Sequence, residues 1–161
     1  SASTNSALLR TAAEVDQEAR LYDGLSRLPH FNPDDDAYPL PAEVAELRAA
    51  MADADAVLFC TPEYAGTLPG SFKNLLDWTV GGTALTGKPV AWVNAAADPA
   101  RGGGASATLA TVLGYVQARV VADACRSVPV ARDAVGADGR IADAAVRAAI
   151  KDVLAALARA V

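Results

Sequence analysis

Short apolar runs alternate along this chain with longer stretches in which apolar residues recur at helical spacing. Val57–Cys60 is wholly apolar and Pro89–Asn94 contains the run Val-Ala-Trp-Val, a pattern typical of strands buried on both faces of a parallel sheet. A last strand is predicted over residues 120–125, continuing toward Val130 after an irregular break. Residues 21–25 form a weaker strand pattern.

Helices are predicted around these strands. The signals at their starts are, in chain order, Ser3 or Thr4, Pro41, Pro69 with Gly70, the glycines 102–104, and the turn Asp138-Gly139 before residues 141–160. The positions predicted to face the core are Ala7, Leu8, Thr11, Ala12, Val15, Val44, Leu47, Met51, Phe72, Leu75, Leu76, Leu109, Val112, Leu113, Val116, Val146, Ile150, Val153, Leu154 and Leu157. Lys73 and Asp77 are spaced to form an ion pair on the third helix.

Strands that alternate with helices predict an α/β fold, with a doubly wound parallel sheet flanked by helices. The chain has 161 residues, of which 52% are hydrophobic, so it can bury a sizeable core. We find neither an internal repeat nor a linker, and we therefore expect one domain over residues 1–161. The acidic run at residues 34–36 is interpreted as a solvated loop.

The charge distribution favours a small-molecule partner. The formal net charge is -5 and no run of Lys or Arg occurs, which argues against nucleic acid or an anionic membrane surface. Every apolar stretch is interrupted by charged residues, Gly or Pro before it is long enough to span a bilayer, and the N-terminus lacks a signal-peptide layout. We therefore expect a cytoplasmic protein.

Two cysteines and one histidine limit the possible site chemistry. Cys60 and Cys125 each lie in an apolar segment, so we interpret both as small buried residues in a reducing compartment rather than as a disulfide. No metal site is predicted, because zinc-type ligand spacing is absent. His30 is the only histidine available as the base of a Ser-His-Asp triad, and no G-x-S-x-G elbow accompanies it.

A ligand site is predicted just after the strand Val57–Cys60. Ligands of open parallel sheets bind at the carboxyl ends of the strands, which is where residues 61–67 must lie. The segment from Val57 to Trp78, VLFCTPEYAGTLPGSFKNLLDW, resembles the signature of the NADPH-dependent FMN reductase family, TPEYNGSIPGxLKNxLDW. The matching positions are Thr61, Pro62, Glu63, Tyr64, Gly66, Pro69, Gly70, Lys73, Asn74, Leu76, Asp77 and Trp78. Ala65 replaces the usual Asn; the alternative interpretation of the segment is an ordinary strand-exit turn.

The resemblance implies a flavodoxin-like fold that uses FMN, with NADPH as co-substrate. NADPH would deliver a hydride to the flavin and leave, and free flavin, a quinone or a similar small acceptor would then take the electrons in a ping-pong cycle. The main alternative is a flavodoxin-like electron carrier that holds FMN without oxidising NADPH itself. A third interpretation is a cofactor-free scaffold.

The resemblance also implies which residues hold the cofactor. The FMN phosphate would lie on Ser3, Thr4 and Asn5, although residues of these types also cap helices in many unrelated proteins. For the ring, the resemblance implies one edge of Pro62, Glu63, Tyr64 and Ala65, acting largely through the backbone, and a second edge of Gly102, Gly103 and Gly104. The alternative for these glycines is a flexible surface loop. Arg101 would attract the phosphates of NADPH and Tyr64 would also contact the substrate, with no catalytic side chain assigned.

Two further expectations follow from the resemblance. The family opens with a buried strand and the phosphate loop G-S-x-R-x-x-S-x-N, of which only Ser3-x-Asn5 has a counterpart here, so we expect the sheet to lack its first strand and the natural protein to be longer. In relatives, the helix that carries Lys73, Asn74, Asp77 and Trp78 packs at a subunit interface, which implies a homodimer or homotetramer. Trp78 has an equally plausible role in the core.

Overall fold

The protein folds into a parallel sheet of four strands with helices on both faces, as the computed structural model shows for residues 3–98 and 100–161. The helices are α1 Thr4–Val15, α2 Ala42–Asp53, α3 Gly70–Asp77, α4 Gly103–Tyr115 and α5 Ala144–Ala158. The strands are β1 Val57–Cys60, β2 Pro89–Asn94, β3 Arg119–Val120 and β4 Arg126–Ser127. Short 3-10 helices lie at Gly24–Arg27, Pro33–Asp35, Ala122–Ala124 and Arg132–Ala134. In the part of the chain that is described, no helix combines the length and the apolar character needed to cross a bilayer.

All strand pairs in the sheet are parallel. β1 pairs with β2 in the register that places Val57 beside Val90. β2 pairs next with β3 and, further along the same strand, with β4. The 3-10 helix Ala122–Ala124 separates β3 from β4, so the predicted irregular break in the last strand is confirmed.

Two apolar cores cover the two faces of the sheet. Side chains alternate across a strand, and Ala91 and Val93 of β2 belong to one core whereas Val90 and Trp92 belong to the other. The first core packs against α1 and α5, and the second packs against α2, α3 and α4. This is the doubly wound arrangement that the alternation of strands and helices predicted.

One local prediction is wrong, and the prediction of a solvated acidic run holds for Asp34 and Asp35 but not for Asp36. Residues 21–25 do not form a strand; a 3-10 helix begins at Gly24 instead. In the strand order 2-1-3-4-5 this segment would pair only with a first strand, and among the described residues no strand precedes Val57. The acidic run is not simply solvated either, because the Asp36 carboxylate pairs with the Arg48 guanidinium at 2.7 Å and both side chains are largely buried.

The polar residues of α3 attach a preceding loop to the core. The Asn74 side chain accepts a hydrogen bond from the backbone N–H of Phe31 at 2.8 Å, and its amide nitrogen donates to the carbonyl oxygen of Pro29 at 2.8 Å. The indole N–H of Trp78 donates to the same Pro29 oxygen at 2.8 Å, and its ring is fully buried with the Phe31 ring edge-on at 4.9 Å. The core interpretation of Trp78 is therefore correct. The predicted pair of Lys73 and Asp77 also forms, at 2.5 Å.

The last helix is shorter than predicted. It spans Ala144–Ala158 rather than residues 141–160, because the Asp143 carboxylate caps it by accepting a hydrogen bond from the Val146 N–H at 2.9 Å. Ile150, Val153 and Leu157 are buried as expected.

Candidate functional site

The predicted site residues meet at the carboxyl ends of β1 and β2. Three side-chain contacts bring them together: Asn5 with Cys60, Glu63 with the start of α4, and Asn94 with the backbone at Arg101. Helix N-termini and strand carboxyl ends lie on the same edge of a parallel α/β sheet, so this is the edge where such folds bind ligands.

The first side of the site is the N-terminus of α1. The Ser3 hydroxyl caps this helix by accepting a hydrogen bond from the Ser6 N–H at 3.3 Å, which confirms the predicted cap. The Asn5 side-chain oxygen accepts a hydrogen bond from the Cys60 thiol at 3.2 Å, which fixes the Asn5 amide against the end of β1. The first backbone N–H groups of a helix have no intrahelical partner, so those of Thr4 and Asn5 suit an anionic group.

The second side of the site is a tight turn at residues 64–67. Tyr64 and Thr67 exchange backbone hydrogen bonds of 3.0 and 3.1 Å, and the two residues between them have φ of 51° at Ala65 and 76° at Gly66. Two successive left-handed residues define a type I′ turn, in which Asn-Gly is the favoured pair. Ala65 therefore places a Cβ in a conformation that Asn tolerates better, in addition to removing the side-chain amide. Tyr64 stands 65% exposed beside this turn.

The Glu63 side chain is directed at helix α4. Its Oε2 accepts hydrogen bonds from the backbone N–H groups of Gly104 at 2.7 Å and Ala105 at 3.2 Å. The residue at the N-cap of α4 is Gly102, which has no side chain to supply an acceptor. Glu63, distant in sequence, performs the capping that Gly102 cannot.

The third side of the site is the glycine segment, and it is not a flexible loop. Gly103 and Gly104 form the first turn of α4, and Gly102 is its buried N-cap. The Asn94 amide, at the end of β2, donates to the Arg101 carbonyl oxygen at 2.6 Å and accepts from the Ala96 N–H at 3.0 Å. The sequence analysis did not select Asn94, although a polar residue that ends a buried strand is a signal for this kind of role.

The backbone around the site leaves room for a ligand that approaches closely. A Cβ built on Gly66 or Gly103 meets no atom within 4 Å, so both residues border open space. A Cβ on Gly104 would instead overlap the Gly66 carbonyl group, with 2.9 Å to its carbon. These observations fit a flat ligand with an anionic end, held by a bare backbone on one side and by helix N–H groups on the other.

Neither thiol supplies a nucleophile. Both cysteines are free, and burial raises the pKa of Cys60 to about 12. Burial also raises the pKa of Cys125, and a hydrogen bond with the Trp92 backbone partly offsets that rise. Cys60 is buried as predicted, whereas Cys125 is only partly buried. In the described ranges, no three side chains of His, Cys, Asp or Glu are grouped as metal ligands.

A separate groove of about 440 Å³ lies near the C-terminal ends of α3 and α4, at the opposite edge of the sheet. Its lining includes Lys73, Asp77, Val80, Val112, Tyr115 and Val116. Val80 is 64% exposed and Tyr115 is 87% exposed. The groove thus combines apolar side chains with charged and polar ones, and its lining contains none of the candidate-site residues.

Comparisons with known proteins agree with this geometry. Residues 1–133 match the sequence model of the family described as NADPH-dependent FMN reductase. An NAD(P)H-dependent FMN reductase from Pseudomonas aeruginosa is 32% identical over 135 residues, covering 83% of this chain and 73% of the relative. A quinone reductase from Pseudomonas putida is 38% identical over 82 residues, covering 49% of this chain and 44% of the relative.

The structure of FerB, a flavoenzyme NAD(P)H:acceptor oxidoreductase from Paracoccus denitrificans, superposes with a TM-score of 0.74 at 27% identity. The superposition covers 99% of this chain and 92% of FerB. The flavodoxin-like fold and the family resemblance predicted from the segment at residues 57–78 are therefore confirmed. This chain belongs to the NADPH-dependent FMN reductase family.

Proposed function

We propose that this protein is an FMN-dependent NAD(P)H oxidoreductase that passes electrons to free flavin, a quinone or a similar small acceptor. The observation that carries the proposal is the meeting of the α1 N-terminus, the turn at residues 64–67 and the glycine segment at one edge of the sheet. Similar proteins are an FMN reductase, a quinone reductase and an NADPH azoreductase, which supports a small, oxidised acceptor.

The phosphate of FMN is assigned to the N-terminus of α1. Ser3, Thr4 and Asn5 offer hydroxyl groups, an amide and backbone N–H groups at the positive end of a helix of 12 residues. The Ser3 hydroxyl oxygen already accepts a hydrogen bond from the Ser6 N–H, and its O–H remains available to donate to a phosphate. The Asn5 oxygen is occupied by the Cys60 thiol, so its amide N–H groups are the ones offered to an anion.

The ring of FMN is assigned to the two remaining sides. Pro62, Glu63, Tyr64 and Ala65 form one edge, and Gly102, Gly103 and Gly104 form the other, as the family resemblance implies. FMN held between these edges would supply the hydride and electron transfer between NADPH and the acceptor, so no protein nucleophile is required. Because the Glu63 carboxylate is hydrogen-bonded to the N-terminus of α4, we expect Glu63 to contact the flavin ring through its backbone atoms rather than through its carboxylate.

The exposed side of the site is assigned to NADPH and the acceptor. The Tyr64 ring is exposed and presents an aromatic face near the ring position. Arg101 is exposed immediately before the glycine segment, where its charge attracts nucleotide phosphates without forming a fixed contact.

The experiment is an FMN titration followed by an NADPH assay. The purified complete protein should bind FMN with quenching of flavin fluorescence and should then oxidise NADPH rapidly when menadione is added. FMN binding without NADPH oxidation would identify an electron carrier instead. Absence of FMN binding would reject the proposal.

We also propose that two copies associate through the groove between the ends of α3 and α4. The exposed apolar side chains of Val80 and Tyr115 in the groove lining suit burial against a second copy, and Lys73 and Asp77 beside them suit polar contacts. Light scattering after size exclusion should report a dimer that Tyr115→Glu dissociates. A monomeric wild-type protein would contradict the assignment.

Two broader assignments remain proposals. Residues 1–161 are proposed to form one domain, since both cores pack on a single sheet. A cytoplasmic location is proposed because both cysteines are free. Fractionation of the native host with a tagged chain tests the location, and a single cooperative unfolding transition tests the domain.

A further inference from the structure

We infer that Glu63 is a positioning residue: its carboxylate locks the turn at residues 64–67 onto the N-terminus of α4 and thereby sets the width of the flavin cleft. The inference rests on the proposed function for its flavin consequence. The lock itself is a property of the protein and can be tested without a cofactor.

Contacts from three neighbouring residues converge on the first turns of α4. The Glu63 carboxylate accepts the hydrogen bonds from Gly104 and Ala105. The Gly66 carbonyl group approaches the Gly104 backbone so closely that a Cβ there would overlap it. The Thr67 hydroxyl bonds the Thr108 hydroxyl at 2.9 Å, one helical turn further along. The turn is therefore attached to α4 at successive points, and Glu63 supplies the charged one.

The charge of Glu63 suits its location. Partial positive charge accumulates at the N-terminus of α4, a helix of 13 residues, and a carboxylate there is stabilised by the helix dipole as well as by its hydrogen bonds. Because Glu63 occupies these N–H groups, α4 does not offer them to an NADPH phosphate. This end of α4 holds the cleft together, and the N-terminus of α1 is left as the anion site.

The lock makes three variants differ in a defined way. Glu63→Ala removes the charged attachment, so the turn keeps only its contacts with α4 through Gly66 and Thr67. Glu63→Gln keeps an acceptor oxygen at the same length and loses only the charge. Gly104→Ala keeps the carboxylate but inserts a methyl group that overlaps the Gly66 carbonyl and lies 3.1 Å from Glu63 Oε2, so it pushes the turn away from the helix.

Hydrogen exchange followed by NMR tests the lock directly in the complete protein. Glu63→Ala should speed exchange at the amides of Gly104 and Ala105 by about tenfold or more, as expected for loss of charge-assisted hydrogen bonds. Glu63→Gln should stay within about threefold of wild type. Gly114→Ala is the matched control, because it adds a methyl group to the exposed end of α4 where no atom lies within 4 Å.

FMN titration tests the consequence for the cleft. Glu63→Ala and Gly104→Ala should each raise the Kd for FMN about tenfold, Glu63→Gln about threefold at most, and Gly114→Ala should not change it. The double variant of Glu63→Ala with Gly104→Ala should be at most about twofold weaker than the worse single variant, since both loosen the same attachment of the turn to the first turn of α4. A purely structural role would lower the unfolding temperature but leave the Kd of the folded protein unchanged.

Different results overturn different statements. If wild-type protein fails to bind FMN, the proposed function and the flavin role of Glu63 both fall. If FMN binds and Glu63→Ala binds it equally well, the positioning role is wrong while the proposed function stands. Unchanged amide exchange in Glu63→Ala would refute the lock itself. Equal losses in Glu63→Gln and Glu63→Ala would show that the charge, rather than the docking of the turn, controls the cleft.

Discussion

The two edges of the candidate site, which we propose to hold the FMN ring (the ring edge) and the FMN phosphate (the phosphate edge), are built differently. At the ring edge, the turn at residues 64–67, the end of β2 and the start of α4 are joined by side-chain hydrogen bonds from Glu63, Asn94 and Thr67. At the phosphate edge, a side-chain hydrogen bond from the Cys60 thiol to Asn5 joins the start of α1 to the sheet. The ring edge is thus preorganised by protein contacts, whereas the phosphate edge keeps its donors available for a ligand.

We therefore expect the two edges to control different properties: the ring edge controls which ligand shapes are accepted, and the phosphate edge controls the affinity for an anionic ligand. A rigid ring edge defines which flat molecules enter, since its geometry does not depend on the ligand. An open phosphate edge adds affinity for an anionic end, since its N–H groups gain a partner only when an anion binds. Changes at one edge should therefore alter a different property from changes at the other.

The largest expected effect is a loss of stability at alkaline pH, caused by ionisation of Cys60 at the phosphate edge. Burial raises the pKa of Cys60 from 9.0 to about 12, so the folded protein keeps its proton where the unfolded chain loses it. The contribution is complete below about pH 9 and declines as pH rises toward 12, by about 1.4 kcal/mol per pH unit. Urea unfolding of wild type and Cys60→Val across this range should show the difference. A constant difference would contradict the burial of the thiol.

The second prediction breaks the ring edge. Asn94→Ala removes the hydrogen bonds to Arg101 and from Ala96, and it should lower the free energy of unfolding by about 2 kcal/mol and weaken FMN binding. Asn32→Ala is the control, because Asn32 caps a short 3-10 helix elsewhere with a similar hydrogen bond to a backbone N–H. It should cost stability without changing the Kd for FMN. Equal effects of both variants on the Kd for FMN would show that Asn94 has no specific role in holding the ring edge for FMN binding.

The third prediction tests the phosphate edge with two ligands. Cys60→Val removes the donor that orients Asn5, so the Kd for FMN should rise about fivefold, by roughly 1 kcal/mol, while the Kd for riboflavin stays unchanged. Fluorescence titration measures both constants. Cys60→Ser retains a donor and should recover most of the preference for FMN. Loss of affinity for both ligands would point to a general defect in folding rather than to Asn5.

The smallest expected effect concerns the turn at the ring edge. Ala65→Gly relieves a φ of 51° and should raise the free energy of unfolding by about 0.5–1 kcal/mol, as measured by thermal or urea unfolding. The matched control is Gln117→Gly, which relieves a φ of 58° outside the site. Both should gain similar stability, and only Ala65→Gly should change amide exchange in the turn. Destabilisation by Ala65→Gly would mean that the left-handed geometry is not strained.

Much of the fold was predictable from the sequence because local signals agreed with the tertiary structure. The apolar run Val57–Cys60, the helix start after Pro69 and the break before β4 all reflect short-range preferences. The predicted strand at residues 21–25 does not form, because a strand needs a neighbouring strand to pair with and the local sequence pattern does not show whether one is present. The burial of Asp36 depends on Arg48, which lies on a different element.

The site was predictable in its location but not in its internal contacts. The family resemblance predicted Glu63 and the glycines 102–104 as neighbours of one ligand, and the structure places Glu63 against Gly104. That the Glu63 carboxylate reaches the N–H of Gly104, 41 positions along the chain, depends on the packing of α4 into the second apolar core. Asn94 was missed because a single Asn after an apolar strand is common, and its hydrogen bonds exist only once the glycine segment is in place.

Asn74 and Trp78 both donate hydrogen bonds to the carbonyl oxygen of Pro29, so these two signature residues have a structural role that is independent of the chemistry at the site. Part of the most recognisable stretch of this family serves to fasten a loop, and it would be preserved by selection for folding even in a descendant that had abandoned electron transfer. A match to these two positions therefore reports the fold more directly than the activity, which a flavin absorption spectrum would establish.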